Sequence, residues 1–121
     1  MLALRTEERL RLLPYALPAA YLCRCGRLGD CEGWTLRLGI VYHPGVARAV
    51  LEGREPPICE EAVELLEKLG DPRLYQLAAG LHYAAIAGID ASILPGFDEE
   101  AARRAAEALR EAGLLPPRGL L

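Results

Sequence analysis

The sequence predicts an all-α fold: a small bundle of four to six helices with an irregular cysteine-containing segment and room for one short strand pair. Three observations carry this reading. Proline starts and glycine stops recur from residue 44 onward, apolar residues in the second half recur at helical spacing, and only Trp34–His43 alternates as a strand would. With 121 residues the chain suits a single domain, 1–121, able to bury about two-thirds of its unfolded surface. Within it, 1–33 is the cysteine-containing part, 44–113 the helical bundle and 114–121 an apolar tail. The tail's leucines suggest docking on the bundle or a partner.

Taken in order, Thr6 caps a short helix with Glu7 and Glu8 in its first turn and Leu10 and Leu13 inward, and Pro14 is expected to stop it. Residues 14–33 read as irregular. In Trp34–His43, the residues Trp34, Leu36, Leu38, Ile40 and Tyr42 alternate, yet Trp34, Leu38 and Val41 also fit a helical stripe. The reading leans to helix, because a lone strand would lack a partner. Pro44 opens a turn or helix to Leu51, with Gly53 as the stop. Pro57 opens another to Leu69, with Ile58, Ala62, Val63, Leu66 and Leu69 inward and Gly70 as C-cap. Asp71-Pro72 is preferred entry chemistry and predicts a helix from Pro72 to about Ala91. Pro95-Gly96 breaks the chain. Asp98 caps the last helix, with Glu99–Arg103 and Glu100–Arg104 four residues apart and Ala101, Ala105, Leu109 and Ala112 inward, before Gly113 ends it.

Composition bounds the source and the partners. There is no Asn, one Gln (Gln76), one Ser (Ser92) and one Met, with thirteen Arg against a single Lys68. That profile is expected of a GC-rich thermophile, although codon bias alone also enriches Arg. The net charge of −3 is uneven: residues 1–54 hold eight Arg and five acids, residues 55–121 six bases and twelve acids. A cytoplasmic location is expected. The apolar run Leu12–Leu22 is preceded by acids and interrupted by Pro14 and Pro18, unlike a signal core. The longest apolar stretch, Leu77–Ile89, is thirteen residues broken by His82, too short to span a bilayer.

Chemistry concentrates in Cys23, Cys25, Cys31 and Cys59. Four thiolates can close a tetrahedral zinc site, and His43 could replace one of them. The spacing lacks the paired knuckles of zinc ribbons, so the alternatives are disulfides without a cofactor, inert thiols, or an iron–sulfur or redox-active site. Among disulfides, Cys23 to Cys25 is the least favourable pair. One of these with Cys31, or Cys31 with Cys59, fits the geometry better. On the helix from Pro72, Gly80, Ala84 and Gly88 recur every four residues, forming a flat face for a core contact or a self-association seam. His82 reads as a satisfied core histidine, with general base or metal ligand as alternatives, and the acids Glu60, Glu61, Glu64 and Glu67 read as a solvated face.

These features favour a non-enzymatic binding or assembly protein, stapled by metal or disulfides and self-associating as a dimer or within a larger complex. A thiol or iron–sulfur redox protein is one alternative, opposed by the scarcity of hydroxyl and amide side chains that orient substrates. Nucleic-acid binding through Arg24, Arg27, Arg37, Arg48 and Arg54 is another, opposed by the acidic whole.

Overall fold

The computed structural model describes residues 6–54 and 58–114. Pro57 and the tail beyond Leu114 lie outside these residues; the helix expected from Pro57 begins later, at Glu60, because Ile58 and Cys59 are not helical. Among the described residues there are five α-helices and one two-stranded sheet, in the order α1 (Thr6–Tyr21), a π-helical turn (Leu22–Arg27), β1 (Thr35–Arg37), β2 (Ile40–Tyr42), α2 (Pro44–Leu51), α3 (Glu60–Leu69), α4 (Pro72–Ala87), a 3-10 turn (Ala91–Ile93) and α5 (Glu99–Glu111). The small helical bundle with a short strand pair is therefore what the chain forms. No helix among the described residues is long and apolar enough to cross a membrane.

The largest departure from expectation is at the start. Pro14 does not stop α1; the helix continues through Pro14 and Pro18 into the π-helical turn, so much of 14–33 is helical rather than irregular. Proline at position 18 removes the N–H that would bond the carbonyl of residue 14 one turn back. Gln76 replaces it: Nε2 donates to the Pro14 carbonyl at 3.3 Å from α4. Burial supplies the rest, because Leu17, Pro18, Ala20 and Tyr21 all lie in the core. Tertiary packing thus overrides a local breaker, which no inspection of the first helix alone reveals.

Trp34–His43 is a hairpin, not a helix. Its strands pair antiparallel in the register Thr35↔Tyr42, Leu36↔Val41, Arg37↔Ile40. The segment contains both strands and so supplies its own partner. The link is Leu38-Gly39, both at positive φ (55° and 79°), as a two-residue primed turn requires. Leucine is rare at such a position, so the usual Asn-Gly signal was missing.

α2, α4 and α5 begin with the expected chemistry, whereas α3 begins at Glu60 with Cys59 as an N-cap that makes no side-chain capping bond. Asp71 and Asp98 accept from the backbone N–H of Arg73 and Ala101 at 2.8 and 2.7 Å. α4 ends at Ala87, four residues early, with Gly88 in the left-handed C-cap conformation at φ 70°. On α3 the inward residues are Ala62, Leu65 and Leu69, whereas Ile58 and Val63, expected inside, are exposed. On α5 the ion pairs join Arg103 to Glu100 and Glu107 at 2.5 and 2.8 Å, in place of the expected pairs. α1 packs on α2 and α4, α4 on α5, α3 bridges α4 and α5, and β2 lies on α1 and α4. Tyr21, Tyr75, Leu65, Leu81 and Leu109 fill the centre, with the Tyr75 hydroxyl donating to the Ala62 carbonyl at 2.9 Å.

Candidate functional site

All four cysteines are bonded, Cys23 to Cys59 and Cys25 to Cys31, with Cα separations of 5.6 and 4.4 Å. The disulfide reading of the cluster is therefore the supported one. A zinc or iron–sulfur site would need the thiolates that these bonds consume, and no group of three His, Cys, Asp or Glu among the described residues is placed to hold a metal. The helical continuation of the chain beyond Tyr21 explains the pairing. Two residues along a helix is roughly half a revolution, so Cys23 and Cys25 point apart. Cys23 reaches the residue that precedes α3, and Cys25 reaches the loop ahead of the hairpin. His43 is not a substitute ligand. Its Nδ1 accepts from the N–H groups of Gly45 and Val46 at 3.0 and 3.3 Å, capping α2. Its ring lies so close to Gly33, at φ 84°, that a Cβ there would meet Nε2 at 2.7 Å.

Beside the Cys25–Cys31 bond the aromatic residues gather around Tyr21. Trp34, His82 and Tyr83 meet its ring edge-on at centroid distances of 5.3, 5.4 and 6.1 Å, and His43 meets Trp34 at 5.2 Å. The Tyr21 hydroxyl lies 2.7 Å from His82 Nδ1 and 3.4 Å from Cys25 Sγ, which carries no hydrogen and can only accept. Burial lowers the His82 pKa from 6.5 to about 4 and raises that of Tyr21, to which Tyr83 adds. A neutral imidazole, 2% exposed and bonded to a phenol, is a core histidine with its partner in place. The Trp34 indole N–H is buried without an acceptor among the described residues. This cluster rigidifies the junction of α1, α4 and the hairpin.

The other candidate sets are dispersed or enclosed. Arg24 and Arg27 stand on the π-helical turn, Arg37 on β1 over the Tyr42 ring, Arg48 on α2 and Arg54 after it. Arg27 pairs with Glu61 and Arg54 with Glu52. Gly80 and Ala84 are buried within this chain, and a Cβ on Gly80 would meet Leu94 at 3.2 Å. Gly88 is the exposed cap of α4, with nothing within 4 Å of a Cβ built there.

What the sequence reading did not anticipate is an apolar groove of about 230 Å³. Its walls are Leu12, Tyr15 and Ala19 of α1 opposite Val63 and Leu66 of α3, with Ile58 at one end and Val50 and Tyr75 also lining it. Leu12, Tyr15, Ile58 and Val63 are each 41–47% exposed. The available signal was an excess of apolar residues over what each helix can bury: Ile58, Ala62, Val63, Leu66 and Leu69 were all placed inward, and Leu65, left out of that set, also takes a place in the core stripe of α3. Compared with protein-family models, curated proteins and solved structures, the chain matches none.

Proposed function

We propose that this chain is a non-enzymatic binding and assembly protein, a helical bundle stapled by two disulfides that docks an apolar surface of another protein in the groove between α1 and α3. The observation that carries the reading is four large apolar side chains left half-exposed around one concavity. At about 230 Å³ the groove is smaller than the cavities that enclose cofactors or drug-sized ligands, and it suits a few inserted side chains. The neutral, buried His82 and the spent cysteines offer no nucleophile or base to a substrate. The two disulfides fit an oxidising compartment, and they fit the expected cytoplasm if the source is a hyperthermophile.

Self-association belongs to the same reading, with the groove rather than the α4 stripe as the seam. The test is sedimentation and affinity capture with the wild type and a Leu12→Ser/Val63→Ser variant. Loss of captured partner or of dimer in a variant that keeps its helical circular dichroism supports docking at the groove. Unchanged assembly in that variant refutes it.

A further inference from the structure

We infer that the occupant of this groove is an amphipathic helix with lysine or arginine along the flank that faces α3, an inference that rests on the docking reading above. A groove walled by two helices, one on each side, receives a third helix through apolar residues at i, i+3, i+4 and i+7. Its α3 side is acidic. On α3, Glu60 and Glu67 lie three residues before and four residues after Val63, on the same helical stripe and exposed at the lip of the groove. Glu64 stands further round, toward α5.

None of these three carboxylates has an ion-pair partner among the described residues, whereas other charges nearby are matched: Glu61 with Arg27, and Lys68 with Glu111. On the opposite lip the exposed Glu8, one turn before Leu12, is already engaged, and Arg11 is exposed next to Leu12. A partner helix is thereby oriented, with its basic flank toward α3. Electrostatic complementarity of this kind fixes register and partner choice more than raw affinity.

The test uses the full-length oxidised protein and two synthetic helical peptides sharing one leucine stripe, with lysines along one flank of the first and glutamates at the same positions of the second. Fluorescence anisotropy should show the lysine peptide binding about tenfold more tightly at low salt, with the preference shrinking to about twofold near 1 M salt. Glu60→Lys/Glu67→Lys should reverse the preference. Leu12→Ser/Val63→Ser should weaken both peptides, with helical content retained because both positions are on the surface. Equal binding of the two peptides, lost in the serine variant, leaves the groove as a docking site and overturns the basic partner. Binding of neither peptide, whether a segment of this chain or a second copy fills the groove, overturns the inference together with the docking of a foreign helix.

Discussion

The bond from Gln76 to the Pro14 carbonyl should disappear as a stability term once Pro18 is replaced by alanine. Gln76→Met keeps length and helix propensity and removes the donor, leaving a carbonyl that Pro18 cannot satisfy. Full burial of such an orphan costs about 1–3 kcal/mol; with Gln76 only partly buried, the lower end, about 1 kcal/mol, applies. Pro18→Ala restores an N–H one turn after residue 14, so in that background the same Gln76→Met change should cost no more than about 0.3 kcal/mol. The two single variants and the double variant form a cycle with a coupling of about 1 kcal/mol, in which the volume lost at the buried Pro18 cancels. Urea unfolding reads it. With a slope of about 2 kcal/mol per molar, Gln76→Met moves the midpoint by about 0.5 M in the wild type and almost nothing in the Pro18→Ala background. Equal midpoint shifts in both backgrounds would show that Gln76 acts by packing, and the account of how α1 survives its prolines would be wrong.

The two disulfides should differ in worth according to their loops. Their sequence separations of 36 and 6 give about 4 kcal/mol for Cys23–Cys59 and about 2 kcal/mol for Cys25–Cys31, less about 0.2 for nesting the shorter loop inside the longer. Paired Cys→Ala variants in urea check the ranking, and equal losses contradict it. For His82, a folded pKa of about 4 against 6.5 unfolded means that the unfolded chain takes up the proton first; stability is full above about pH 6.5 and falls by about 3 kcal/mol as pH drops to 4. His82→Gln should remove that component of the acid sensitivity, and a variant as acid-sensitive as wild type would assign the loss elsewhere. Gly80→Leu should cost about 1–3 kcal/mol by colliding with Leu94, whereas Gly88→Leu should cost about 1 kcal/mol through its left-handed backbone alone. Thermal unfolding and light scattering on both would expose an intersubunit seam at Gly88 if only that variant changed mass.

Where a residue's own backbone chemistry decides the outcome, the sequence was readable. Asp71-Pro72, Asp98, Gly70 and Pro44 each carry their capping role locally, and α2, α4, α5 and the end of α3 followed from them, with α3 starting late and α4 ending early. Where the outcome depends on a residue far along the chain, it was not. Pro14 and Pro18 look like breakers until Gln76 is brought to them, and Leu38-Gly39 does not resemble a hairpin turn. The cysteine cluster was visible as a cluster and as bonded sulfur, and one of Cys23 or Cys25 with Cys31 was among the favoured pairs. Cys23 with Cys59 required knowing that the helix runs on past Pro14 and Pro18 through Cys23 and Cys25. His82 as a satisfied core residue was legible from its apolar run; its partner Tyr21, 61 positions away, was not. The groove escaped because each helix was assigned an inward face in isolation, and the apolar surplus of α1 and α3 only becomes a concavity when the two are set side by side.

The π-helical turn also bears on how the chain reaches its bonded state. A chain emerging from the ribosome presents Cys23, Cys25 and Cys31 together long before Cys59 exists, so the oxidant first meets three thiols and must choose. Closing Cys31 on Cys23 instead of Cys25 would strand Cys25 and leave Cys59 without its partner, a dead end escaped only by thiol exchange. Once the turn after α1 is formed through residue 27, Cys25 faces the loop while Cys23 faces the residue that precedes α3. The helical phase of the two residues therefore sends their thiols to different partners, Cys25 to one six residues on and Cys23 to one 36 residues downstream.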